Sequence, residues 1–225
     1  MERVCEAQVA QFASAADFDV DSMIELQHGL EHAITDELID AMAAETEKQV
    51  DINARKYGVS GVLMGEIGYY TPSLIIESIC TNVQRGRILK KKPASPVFIY
   101  DFDQDGNLSR VINCDLQLTT YVAHDRLSDV FISVSDVKKE VTSVILRMKD
   151  NSGRISRWIQ FRWYSRMKIV YDMEAELYQY ADEGGRCITL KGISDYYGLF
   201  IGLARDEYRF EISPNGKVSA LECLL

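Results

Sequence analysis

No run in this sequence approaches the roughly 18 consecutive apolar residues that a membrane-crossing helix needs. The first residues, MERVCEAQVAQFASAAD, lack the basic start and continuous apolar run of a secretory signal, so the expected location is cytoplasmic. Cysteine is sparse and scattered: Cys5, Cys80, Cys114, Cys187 and Cys223 are odd in number and form no C-x-x-C pair. That spacing suggests neither a disulfide framework nor a zinc knuckle. Neither a Walker A sequence nor G-x-G-x-x-G occurs, so no phosphate-cradling loop is indicated. YGVSG (57–61) is no nucleophile elbow, because Gly61 follows Ser60 directly. His124 and Asp125 are adjacent, and neighbouring side chains diverge. No Ser-His-Asp constellation can therefore be assembled, and no catalytic residue or cofactor is expected.

Basic charge is missing from one segment in particular. Between Asp17 and Asp51 there are eleven acidic side chains and a single base, Lys48, for a local charge of −10. The whole chain carries −9, so the other residues sum to +1. Such a segment repels phosphates, which argues against nucleic acid as a partner and for a basic protein.

What is present begins with helical periodicity. Asp21 or Ser22 can cap a helix in which Met23, Leu26, Leu30, Ile34, Leu38 and Ala41 fall on one stripe. One or two N-terminal helices, about 2–15 and 21–54, are expected, with Gly58 as a stop. From Val97 onward, alternation with period two takes over. Leu108, Ile112, Cys114, Leu116, Leu118 and Val122 share one parity. Ile155, Ile159, Phe161 and Trp163 form a second row. Met167, Ile169, Tyr171, Met173 and Leu177 form a third, opposite Asp172, Glu174 and Glu176. Residues 73–90 read equally as helix or strand, and MEAELYQYA makes 171–181 ambiguous despite its alternation. The expected fold is α+β: N-terminal helices (1–57) packed on a multi-stranded antiparallel meander (58–225) in one domain, with a partial barrel as one form the sheet can take.

Three motifs invite a chemical reading. YDFDQDGNLSRVI (100–112) opens like a calcium loop, with Asp101, Asp103 and Asp105 before Gly106. Yet DQDGNLSRV (103–111) aligns with DNSGRISRW (150–158) and SPNGKVSAL (213–221), and more loosely with DEGGRCITL (182–190). The later copies drop the aspartate comb and keep the turn-forming glycine, so the shared element is a hairpin turn. The twelfth loop position, which should be a glutamate, is Ile112.

HGLEH (28–32) resembles the H-x-x-E-H motif of the inverted-zincin metallopeptidases. The resemblance implies His28 and His32 as zinc ligands and Glu31 as general base. It covers five residues and leaves a third ligand unidentified. At 100° per residue the histidines fall about 160° and 200° from Leu30, away from the apolar stripe.

RISRWIQFRWYSRMK (154–168) interleaves Arg157 and Arg162 with Trp158 and Tyr164, a mixture able to grip single-stranded nucleic acid by stacking and the alternative ligand surface of the sheet. The competing expectation pairs these bases with Asp172, Glu174 and Glu176 on a neighbouring strand.

The resulting functional expectation is a non-catalytic protein-binding module. Asp21, Glu25, Asp36 and Asp40 would engage a basic partner, as bacterial immunity proteins engage basic toxins. The alternatives are a small-molecule binder or enzyme with a pocket at the sheet–helix boundary, and a metallohydrolase built on HGLEH.

Overall fold

Thr35 breaks the expected long helix in two. In the computed structural model, which describes residues 5–14, 20–59, 66–75, 86–164, 169–181, 184–194, 200–213 and 218–224, three helices come first. They are α1 (Glu6–Ser14), α2 (Val20–Ala33) and α3 (Asp36–Gln49). Thr35 has extended backbone angles, and its Oγ1 accepts the amide of Leu38 at 3.2 Å, an N-cap that starts a new helix. The restart shifts the phase of the apolar stripe. Met23, Leu26 and Leu30 are buried as expected, but Met42 and Thr46 are buried in α3 and Ala41 is exposed. The helical segment also ends early, because Val50–Val59 is strand β1. Gly58 lies inside that strand and does not end a helix.

Eleven further strands are present among the described residues. They are β2 (Arg87–Leu89), β3 (Phe98–Asp103), β4 (Leu108–Asn113), β5 (Leu118–His124), β6 (Ser128–Ser135), β7 (Val141–Lys149), β8 (Ile155–Tyr164), β9 (Ile169–Ala181), β10 (Gly184–Ser194), β11 (Phe200–Ile212) and β12 (Val218–Cys223). All twelve form one antiparallel sheet in the order β12-β11-β10-β9-β8-β7-β6-β5-β4-β3-β1-β2. From β3 to β12 the chain is a plain meander of neighbouring hairpins, and the sheet ends in two edges. The fold class is α+β. No helix among the described residues is long and apolar enough to cross a membrane.

Alternation sends successive side chains to opposite faces. One face packs under the helices: Val130, Ile132, Val144, Leu146, Ile159, Phe161, Trp163, Met173 and Leu177 meet Phe12, Met23, Leu26, Leu30 and Met42. The other carries Phe98, Tyr100, Val122, Phe131, Ile145, Trp158, Tyr178 and Phe210, joined by Ile67 and Ile75. The middle of the sheet is thus buried on both faces, and in β6 every residue from Ser128 to Val134 is buried.

Two sequence rows are corrected by this geometry. The row from Leu108 to Val122 is cut by a turn at 114–117, where Cys114 and Leu116 are exposed. A register shift between β7 and β8 turns Ile155 onto the face opposite Ile159. The ambiguous 171–181 stretch is strand, within β9. In the 73–90 stretch, Arg87–Leu89 is strand, and 76–85 lies outside the described residues.

The cover of the second face is a short strap, residues 66–75, containing a 3-10 turn at Gly68–Tyr70. The Tyr100 hydroxyl accepts the Tyr69 amide at 3.0 Å, and the Tyr178 hydroxyl accepts the Leu74 amide at 2.8 Å. Gly68 has φ +56°, and a Cβ there would come within 2.6 Å of the Tyr100 hydroxyl, so only glycine fits this crossing.

The hairpin reading of the calcium-like stretch holds in two of its copies. In the β3–β4 turn the Asp103 amide donates to Asn107 O, the Gly106 amide donates to Asp103 O, and Gly106 has φ 82°. The β7–β8 turn repeats this with Asp150, Arg154 and Gly153, whose φ is 80°. In each, one aspartate oxygen accepts two turn amides: Asp105 and Asn107 for Asp103, Ser152 and Arg154 for Asp150. The turns of the 182–190 and 213–221 copies fall on residues outside the described ones. Asp103 is committed to its own backbone and Asp101 points into an ion pair. Calorimetric titration with calcium should therefore show no saturable site below about millimolar, against the micromolar affinity typical of sensor loops. Micromolar binding lost in Asp103→Ala would contradict this assignment.

Candidate functional site

Three carboxylates are sunk into the sheet, and each is fully engaged. Asp101 of β3 is 0% exposed and lies between two guanidinium groups. Arg55 reaches it at 2.5 and 3.1 Å, and Arg110 at 2.9 and 2.7 Å. Arg110 also pairs with Glu47 of α3, tying helix to sheet. Asp129 of β6, likewise 0% exposed, accepts from His124, from Arg147 at 2.8 Å and from Lys149 at 3.0 Å. His124 turns its other ring nitrogen to the Leu108 carbonyl at 2.5 Å. Burial alone would raise the Asp129 carboxyl. The His124 bond and the charges of Arg147 and Lys149 reverse that and hold it well below the usual range.

Glu176 of β9 has no cation. It accepts from Ser73 at 2.6 Å, Trp158 Nε1 at 2.8 Å and the Tyr178 hydroxyl. Burial pushes its pKa up, and the three donors offset this only in part. A carboxyl raised on folding stabilises the fold below its ordinary value of 4.5, and that contribution is lost as pH rises through the raised value. Glu176→Gln keeps an acceptor for Trp158 and removes the proton linkage. Denaturant unfolding over a pH series should show wild-type stability declining from pH 4.5 upward relative to Glu176→Gln. Parallel curves for the two proteins would contradict the assignment.

Several of these groups stand in register across the strands. His124, Asp129, Arg147, Trp158, Glu176 and Thr189 form one cross-strand row; Thr120, Ser133, Ser143, Arg162 and Asp172 form another. In the second row the Thr120 and Ser133 hydroxyls bond each other at 2.8 Å, and Ser143 donates to Glu66 of the strap. Most of these groups find a bonded partner within the row or on the strap, which is what a buried polar layer requires.

The basic and aromatic segment is consequently not one exposed surface. Trp158 is buried against Glu176. Arg157 lies on the helix side, donating to the Phe12 carbonyl at 3.1 Å. Arg162 lies on the strap side, bonded to Asp172 and to Gln160 at 2.9 Å, with Glu174 at 3.6 Å. The Tyr164 side chain lies outside the described ones. β8 and β9 are antiparallel neighbours with Arg162 directly opposite Asp172, the cross-strand pairing expected from the charge rows. Sequence reasoning did not find Asp101, Asp129 or the Ser73–Glu176–Tyr178 group. A tryptophan on a polar row, whose indole N–H needs a buried acceptor, was the available signal.

In the HGLEH stretch, His28 and His32 are exposed, and His32 Nδ1 lies 2.7 Å from the His28 carbonyl. Glu31 turns instead toward the sheet, accepting from Gln27 at 3.0 Å and Trp163 Nε1 at 3.2 Å. No group of three or more metal-ligating side chains occurs among the described residues.

The acidic helices differ from the sheet in one respect. Sheet charges are matched across strands: Arg186 with Glu207, Lys191 with Glu174, Arg209 with Glu222. Asp21, Glu25, Asp36 and Asp40 are all exposed, and none makes an ion pair or side-chain hydrogen bond among the described residues. No family model, no curated protein and no solved structure matches this chain.

Proposed function

We propose that this protein is a non-catalytic binding module whose α2–α3 surface docks a basic protein. The observation that carries the reading is the contrast between the cross-strand ion pairs of the sheet and four exposed helix acids, Asp21, Glu25, Asp36 and Asp40, that make no ion pair among the described residues. Exposed charges of one sign set up a field that steers a cationic partner, whereas paired charges largely cancel at a distance. Neutralisation of a basic toxin, the task of an immunity-type protein, is the concrete form. Cys5, Cys114 and Cys187 stand as free thiols, which fits a reducing cytoplasm. The sheet is the scaffold, and we read it as curled into a partial barrel around the strap. The strap supports this reading, because its Tyr69 and Leu74 amides bond tyrosines of β3 and β9, which lie six strand positions apart in the sheet.

A small-molecule reading draws some support from Arg162, a largely buried cation facing Asp172, Glu174 and Glu66 on the strap side of the sheet. Its guanidinium is already engaged by Asp172, Gln160 and Glu174, which favours the docking reading.

The immobilised 225-residue chain, incubated with native lysate at low salt, should retain a basic protein. The Glu25→Lys/Asp36→Lys/Asp40→Lys variant should not retain it. Equal retention by both proteins would overturn the proposal.

A further inference from the structure

Two of the most exposed large apolar side chains sit on adjacent turns. Leu116, in the β4–β5 turn, is 57% exposed, and Val137, in the β6–β7 turn, is 70% exposed. The turns are tied together: the Asp136 amide donates to Gln117 O at 2.8 Å, and Thr119 Oγ1 donates to Asp136 Oδ1 at 2.7 Å. Leu116 and Val137 each lie one residue from that backbone bond. The Asn113 side chain accepts the Leu116 amide at 3.1 Å, so the first turn is also held from within. Gln117 and Lys139 adopt left-handed φ angles of 53° and 57° without being glycine, a conformation that side chains disfavour. Both turns thus present an apolar tip on a defined backbone.

The acidic helix α3 runs back toward the same end of the sheet. Val50 follows α3 directly and pairs with Asp103, at the end of β3 far from the 114–117 turn. Glu47 meets Arg110 midway along β4. The start of α3 therefore leads back toward the turns, with Asp40 about 10 Å before Glu47 along the axis. Tyr121 lies between: burial raises its phenol most, Arg110 opposes, and Asp136, Glu47 and Asp40 add to the rise, so acids from turn and helix surround one ring. Asp115, beside Leu116, is exposed, while Lys138 and Lys139 follow Val137 and end the acidic rim there.

We propose that Leu116 and Val137 form the apolar centre of the docking surface, with Asp36, Asp40 and Asp115 as its acidic rim, and that the partner presents an apolar side chain ringed by lysine or arginine. Apolar side chains at the middle of a polar surface are where binding energy concentrates, while the surrounding charges set rate and orientation. This rests on the acidic-face reading and assigns that face its centre.

The test uses two defined probes on the isotope-labelled full chain: a designed leucine–lysine amphipathic peptide, and oligolysine of equal charge. Both should shift amides of α2 and α3, and only the leucine-containing peptide should shift amides of 114–117 and 136–139. Leu116→Ser/Val137→Ser, confined to exposed turn positions, should weaken the leucine–lysine peptide about tenfold and leave oligolysine unchanged. If the leucine–lysine peptide binds the variant as well as wild type and leaves the turns unshifted, the apolar centre is wrong and the acidic face stands. If oligolysine shifts nothing in α2 and α3, the acidic-face reading falls and this inference with it.

Discussion

Asp129→Ala should lower unfolding stability by about 3–5 kcal/mol, a melting-temperature drop of roughly 6–20 °C for a chain of this size. The carboxylate is 0% exposed, while Arg147 and Lys149 have side chains 16% and 25% exposed. Removing the acid leaves two largely buried cations without their counter-charge and His124 without an acceptor. That is the situation in which breaking a buried pair costs most. Partial access of the lysine to water places the expected value toward the lower bound. The pH dependence has a definite sign. Because the Asp129 pKa is depressed, its contribution is present above its ordinary value of 3.8 and is lost as pH falls through the folded value. The difference between wild type and Asp129→Ala should therefore shrink in acid. Asp150→Ala is the control: it also removes an acid bonded to a cation, but at an exposed turn, and should cost about 1 kcal/mol. Equal small losses in the two variants would show that the Asp129 cluster does not hold the sheet together.

Local features of the sequence foretold much of the fold, and long-range ones did not. The Gly106 and Gly153 turns, the β8–β9 pairing and the outward placement of Asp21, Glu25, Asp36 and Asp40 all follow from residues within a few positions of one another. The helix break was missed because Leu38 continues the stripe set by Leu30 and Ile34. Thr35 before Asp36 and Glu37 was the signal, a capping residue followed by first-turn acids. Asp101, Asp129 and Glu176 were invisible as buried groups for another reason. Arg55 is 46 residues from Asp101, and Ser73 is 103 from Glu176. The strap covers the second face of these alternating strands, so their polar row is an interior layer. Of the two expectations for the basic and aromatic segment, cross-strand pairing is seen for Arg162 with Asp172, while the Trp158 indole serves Glu176 within the layer.

The docking surface remains the claim on which function depends, and charge reversal tests it with the largest expected change in rate. Asp21, Glu25, Asp36 and Asp40 are exposed on two helices of fourteen residues each, and replacing such side chains disturbs no packing. Glu25→Lys/Asp36→Lys/Asp40→Lys shifts the segment from −10 to −4, since each reversal changes the charge by two. Electrostatic steering raises association rates by about 10- to 1,000-fold, so the variant should bind the proposed basic partner at least about tenfold more slowly at low salt. Dissociation should change less, because rim charges act mainly on encounter. Salt screens exposed charges over about 8 Å at physiological ionic strength, so the wild-type rate should fall toward that of the variant as salt rises. The decisive measurement is the association rate constant of both proteins with the purified partner, at low and high salt. The expected result is a gap of about tenfold or more at low salt that closes at high salt. Equal rates in both conditions, with folding intact, would contradict docking through the acidic helices.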